Sequence, residues 1–190
     1  LLSGQRLNTL LRGGADHDAE LGAELHRLRR EQIDRPVIFV GAGTCGLGAG
    51  AGKVLAAVRA HLAAGGIDAD VVETGCIGLC SEEPLLEVQL PGRARTVFSR
   101  VKPQDAAAIL DAMLSGTVPT ARFLGQHGPE SLQRWEGLAA LSDHPFFAGQ
   151  TRWVLRNCGL IDPGSLEESL AWGGYRGLAK ALRTLTPAEV

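Results

Sequence analysis

Three cysteines in two glycine-rich stretches carry the chemistry this chain offers: Cys45 within "VIFVGAGTCGLGAGAGKV" (residues 37–54), and Cys76 and Cys80 within "GCIGLC". Thiolates are soft anionic ligands suited to zinc, copper or iron–sulfur centres, and a poised thiol can also do redox work. The fourth cysteine, Cys158 in "RNCG", has no partner near it in sequence and reads as a small buried residue. Four cysteines this sparse do not staple a secreted domain. In a reducing compartment the clustered ones point to metal or redox chemistry, although a tight turn of small residues accounts for Cys76 and Cys80 equally well. His17, His26, His61, His127 and His144 form no spaced pair, so surface or capping roles are expected for them.

The glycines around Cys45 admit more than one ligand. "GAGTCG" (residues 41–46) satisfies G-x-G-x-x-G after an apolar run, and Glu73 could face a ribose, so Gly41, Gly43, Gly46 and Glu73 form a dinucleotide-binding candidate. Against it, the spacing to Glu73 is long, and a hairpin follows where further β-α units should. A phosphate loop of the Walker type fails outright, because Lys53 is followed by Val54 and Leu47 occupies the required first glycine position. A cluster uses the same physics as a phosphate: its sulfides and thiolates accept backbone N–H groups, and glycine lets the backbone come close. Glycine density cannot separate these ligands, whereas cysteine placement can.

The elements that must position the thiols are legible from periodicity. "VIFV" (37–40) is short and continuously apolar, as a buried central strand is. "KVLAAVRAHLAA" places Val54, Leu55, Val58 and Leu62 on one helical face and stops at Gly65-Gly66. "DVVET" (70–74) is a second strand, "LLEVQ" and "ARTVFSR" are two more joined by a turn at "LPGR", and Pro103 opens a helix that ends near Ser115-Gly116. The order β-α-β-β-β-α over residues 37–115 makes an α/β, two-layer, thioredoxin-like domain. In that order the loops holding Cys45 and Cys76/Cys80 leave the parallel strands at the same end.

Residues 1–34 read as a leading helical segment with Leu21, Leu25 and Leu28 on one face, Asp16 or Asp18 as cap, and "RLRREQ" as a solvated charged face. After Thr117 prolines and glycines punctuate short helical pieces, with one candidate strand at "RWVLR" (152–156) and a capping box at Ser165/Glu168. Trp135, Trp153 and Trp172 are expected to pack this second half. A further capping signal, Thr186-Pro187 with Glu189, starts a helix at the last residues and suggests a piece of something longer.

Composition excludes several function classes. A net charge of −2 and a pI near 6.2 leave no basic face for nucleic acid. No apolar stretch reaches the length of a membrane span and nothing resembles a signal peptide, so direct membrane insertion is not expected and a cytoplasmic location is.

"TGCIGLCSEEPLLEV", with the layout around it, resembles the thioredoxin-like 2Fe-2S ferredoxin domain of complex I-type NADH dehydrogenases. "QTRWVLRNCGLIDPGSLEESLAWGGYRGLAKALRTLTPAEV" is similar to the start of the flavoprotein, NADH-oxidising subunit of these enzymes and of related NAD-dependent formate dehydrogenases and hydrogenases. The resemblance covers about residues 36–190. Behind the leading helical segment (1–35), it implies a ferredoxin domain (36–116) and a connector leading to an FMN- and NADH-binding domain (117–190). It further implies a 2Fe-2S centre on Cys45, Cys76 and Cys80, with FMN, NAD and 4Fe-4S in the remainder of a longer chain, and other subunits of an NADH-linked oxidoreductase complex as partners. These residues alone should not oxidise NADH, and none of them is expected to be catalytic. One departure stands out: the family's ligands come as C-x4-C then C-x3-C, yet Val40 and Gly50 occupy the positions where Cys45 needs its pair. Thr44, Thr74, Ser81 or a solvent oxygen are the candidate substitutes, and a module that has lost its metal and serves only for docking is the other expectation.

Overall fold

The computed structural model describes residues 4–11 and 19–190. These fall into two compact units, one spanning residues 31–160 and the other formed by the described residues up to Arg30 together with Ile161–Val190.

The larger unit is built on β1 (Val37–Gly41), whose residues are all buried, as its unbroken apolar run requires. Helices α3 (Thr44–Ala49) and α4 (Ala51–Gly65) follow, and then β2 (Asp70–Thr74) pairs parallel with β1. β3 (Leu86–Gln89) lies antiparallel on the other side of β1, β4 (Arg95–Phe98) turns back through the "LPGR" hairpin, and α5 (Pro103–Leu114) returns across the sheet. With a fifth strand, β5 (Phe123–His127), the strand order is β2-β1-β3-β4-β5. The expected thioredoxin-like order of β1 to α5 is therefore present in full.

Alternation along the strands sorts the two faces. Ile38, Val40, Leu86, Val88 and Phe98 pack against α4, through Val54, Leu55, Val58 and Leu62, and against α5, through Ala106, Ile109, Leu110 and Met113. His61 of α4 reaches Asp111 of α5 at 2.8 Å on the outer surface. Val37 and Phe39 point to the opposite face with Val72.

Two expectations for residues beyond 116 are corrected. The fifth strand, β5 (Phe123–His127), pairs antiparallel with β4, whereas "RWVLR" forms turns. "FLGQH" is too short and polar to announce itself, and it becomes a strand because β4 offers an unpaired edge. Gln126 then anchors the following segment, its amide donating to the carbonyls of Trp135 and Leu138 at 2.8 Å each. Trp135 is 8% exposed and joins the sheet core, while Trp153 is 80% exposed and packs nothing.

The smaller unit contains α1 (Gly4–Leu11), α2 (Ala19–Leu28), α6 (Leu166–Ala171) and α7 (Arg176–Thr184). Leu10, Leu21, Leu25, Leu170 and Ala171 form its core, with Trp172 against it. The proposed caps Asp16 and Asp18 lie outside the described residues, as does His17. The Ser165 hydroxyl caps α6 by accepting the Glu168 N–H at 3.2 Å. The charges of "RLRREQ" are not simply solvated: α2 ends at Leu28, Arg29 donates to the Ala171 carbonyl at 2.8 Å and Arg30 forks onto Glu168 at 2.6 and 2.7 Å. Thr186 and Glu189 make their capping contact, the Thr186 N–H donating to Glu189 at 2.7 Å, within a turn.

Among the described residues no helix is long and apolar enough to cross a membrane.

Candidate metal centre

Because β1 and β2 run parallel, with Gly41 opposite Thr74, their C-terminal ends open at one edge of the sheet. Cys45 sits in the first turn of α3 just beyond that edge, and Cys76 and Cys80 sit in the loop after β2. The three Sγ atoms lie within 4.8 Å of one another, and those of Cys76 and Cys80 are 3.6 Å apart. All are free thiols, with Cys80 exposed and Cys45 and Cys76 half-buried. Two thiolates on one tetrahedral metal with bonds of about 2.3 Å stand about 3.8 Å apart, so this spacing suits ligands converging on a common centre. Cys158 belongs elsewhere, lining a cavity of about 370 Å³ beside Glu87 and His127.

A fourth acidic group enters that no sequence motif marked. β3 is antiparallel to β1, with Val40 opposite Leu86, so the segment leading into it must arrive at the edge where β1 ends. That segment carries Glu83, which is 6% exposed. One carboxylate oxygen accepts the Leu85 N–H at 2.9 Å, and the other faces the Cys45 Sγ at 3.9 Å. The usable signal was topological, since a strand entering antiparallel beside β1 delivers its preceding residues to the thiols. Among the candidate substitutes, Thr74 turns its hydroxyl to the Val40 carbonyl at 3.5 Å, and Thr44 and Ser81 are exposed.

The glycines of "GAGTCG" serve this packing. A Cβ at Gly43 would stand 3.0 Å from the Cys76 backbone nitrogen, and one at Gly41 would stand 2.8 Å from Glu83 Oε2. The space next to Gly41 that a dinucleotide pyrophosphate needs is thus filled by a carboxylate, which would also repel it. Glu73, the proposed ribose partner, pairs with Arg59 at 3.0 Å on the surface. Gly46 is the tightest position: a Cβ there would be 2.0 Å from the Gly41 carbonyl oxygen, a backbone atom that cannot swing aside. Gly46→Ala should therefore lower the unfolding free energy by about 2–3 kcal/mol, read from urea melts. An unchanged midpoint would mean that the two loops are not packed this closely.

Electrostatically the site resists anions when no cation is present. Burial and the hydrogen bond with Cys45 push the Cys76 thiol up to about 12, partly offset by the Gly78 N–H that donates to its sulfur at 3.2 Å. Burial likewise raises the Glu83 carboxyl above its ordinary range, with the Leu85 amide acting against it. A bound cation removes this penalty by taking the place of the protons. Three thiol sulfurs with a carboxylate oxygen beside them is a donor set that fits iron or zinc, including an iron–sulfur centre that accepts one non-thiolate ligand. Phe146 and Leu155 flank the site, each within 4 Å of where a Gly78 side chain would begin.

No protein-family model matches the chain. A stretch of 41 residues is 58% identical to the NADP-reducing hydrogenase subunit HndC of Solidesulfovibrio fructosivorans; it makes up 22% of this chain and 8% of that protein. Among solved structures, a thioredoxin-like [2Fe-2S] ferredoxin from Aquifex aeolicus aligns with 20% identity over 53% of this chain and 100% of its own, at a TM-score of 0.42. The wild-type form of that ferredoxin in a second structure aligns with 19% identity over 51% of this chain and 100% of its own, at a TM-score of 0.40. In sequence, this chain is thus similar over one segment to a subunit of an NADP-reducing hydrogenase.

Proposed function

We propose that this chain is part of an NAD(P)H-linked oxidoreductase of the NADH dehydrogenase or diaphorase kind, in which the sheet unit serves as a ferredoxin-like electron-transfer module. The convergence of Cys45, Cys76 and Cys80 to within 4.8 Å at one edge of a thioredoxin-like sheet carries this reading. The segment shared with a hydrogenase subunit supports its setting in a multisubunit complex. A 2Fe-2S centre, when bound, supplies a one-electron relay. The chain's own part is to hold it: the three thiols ligate, Ile77 and Leu79 bury their side chains within the ligand loop, and exposed Cys80 gives the short path to a partner. FMN and NAD belong, on this reading, to further parts of the same enzyme, which would work in the cytoplasm beside other subunits.

The test is iron and acid-labile sulfide per chain on anaerobically prepared protein, with an EPR spectrum after dithionite reduction. Two irons and two sulfides per chain, with a signal from the reduced protein, are expected. Protein that takes up neither iron nor sulfide after reconstitution would overturn the electron-transfer reading and leave a docking module.

A further inference from the structure

We infer that Glu83 is the fourth protein donor of the metal centre, completing a three-thiolate, one-carboxylate set with Cys45, Cys76 and Cys80. The identity of the bound group rests on the reading above, but the role of Glu83 is argued from packing alone. Its side chain is buried, and among the described residues no lysine, arginine or histidine pairs with it. Its polar partners are the Leu85 N–H and the Cys45 thiol. A carboxylate buried beside Cys45 with no basic side chain to pair with is stabilised by a cation lying between it and the sulfurs, because an unpaired buried charge is among the costliest features a fold can carry.

The three sulfurs lie within 4.8 Å of one another and Glu83 stands beside that group, on the Cys45 side. Glu83 Oε1 stands 3.9 Å from Cys45 Sγ. An oxygen and a sulfur on one tetrahedral ion, with bonds of about 2.0 and 2.3 Å, lie about 3.5 Å apart. Space is made for the carboxylate on purpose: Cβ atoms at Gly41 and Gly46 would come within 2.8 and 3.1 Å of Oε2. That same oxygen is held by the Leu85 N–H, which leaves Oε1 facing Cys45.

Cobalt(II) is the probe, since it reports thiolate and oxygen ligation by its absorption and needs no sulfide. The 190-residue chain and its Glu83→Gln and Glu83→Ala variants are titrated anaerobically, with circular dichroism confirming that each is folded. The glutamine keeps an oxygen for the Leu85 amide but is a poor metal donor. Both variants are expected to bind cobalt about ten- to a hundredfold more weakly, with shifted d–d bands and unchanged thiolate charge-transfer intensity per cobalt. Wild-type affinity and spectrum in the glutamine variant would overturn the inference, as would failure of the unsubstituted chain to bind cobalt. If iron and sulfide analysis finds no cluster while cobalt binding still depends on Glu83, the electron-transfer reading falls and the fourth-donor assignment stands.

Discussion

Replacing Cys76 with alanine should abolish iron and sulfide incorporation and silence the EPR signal of the reduced protein while leaving the fold in place. Cys76 is the hub of the thiol group: its sulfur is 3.6 Å from Cys80, lies within 4.8 Å of Cys45, and accepts the Gly78 N–H at 3.2 Å. Its loss leaves two thiols, and metal affinity should fall by roughly a hundredfold or more, beyond the usual effect of disturbing an outer partner. The side chain is half-buried in a loop, so circular dichroism and the thermal midpoint should barely move. Cys158→Ala is the contrasting case, since that residue lines the cavity beside Glu87 and should leave the iron content unchanged. A Cys76→Ala protein that still assembled a full cluster would place the metal elsewhere.

The second large effect concerns stability. On the face of the sheet away from α4 and α5, Arg95 stands 2.6 Å from Glu87, both nearly inaccessible. The guanidinium also stacks 3.3 Å above the Phe39 ring and donates to the Gly159 carbonyl at 2.7 Å. His127 adds a contact to the same carboxylate at 3.1 Å. Arg95→Met should cost about 3–5 kcal/mol, because it strands a buried carboxylate. The thermal midpoint should then drop by roughly 10 °C or more. The Arg95→Met, Glu87→Leu double variant should recover most of that loss, since the penalty lies in the orphaned charge.

The same pair fixes an acid response. Burial alone would push the Glu87 carboxyl up, but Arg95 and His127 together hold it below its ordinary value near 4.5. A carboxyl lowered by folding contributes stability that is complete above its unfolded value and is lost as pH falls through the folded one. Urea midpoints should therefore fall below about pH 4.5 in the parent chain, and that decline should be shallower in the double variant. Equal slopes would show that the pair is not ionised in the folded protein.

How much of this was legible depends on whether the determining neighbours are close in the chain. The continuous run of Val37–Val40, the inward positions of α4, the stop at Gly65-Gly66, the hairpin and the start of α5 at Pro103 were all readable, because period and turn chemistry act over a few residues. The layout of parallel β1 and β2 also brought Cys45 to Cys76 and Cys80 before any coordinates. Three features were decided only by tertiary structure. Phe123–His127 became a strand because β4 had an open edge, whereas the more apolar "RWVLR" did not. Arg29 and Arg30 left the solvent because α6 presented a carbonyl and Glu168 to them. Glu83 reached the thiols because β3 enters antiparallel beside β1. Local sequence determined the strands and helices from β1 to α5 and which loops hold sulfur. The partners of the buried charges, and the carboxylate that stands beside Cys45, come from residues distant in the chain and depend on strand order.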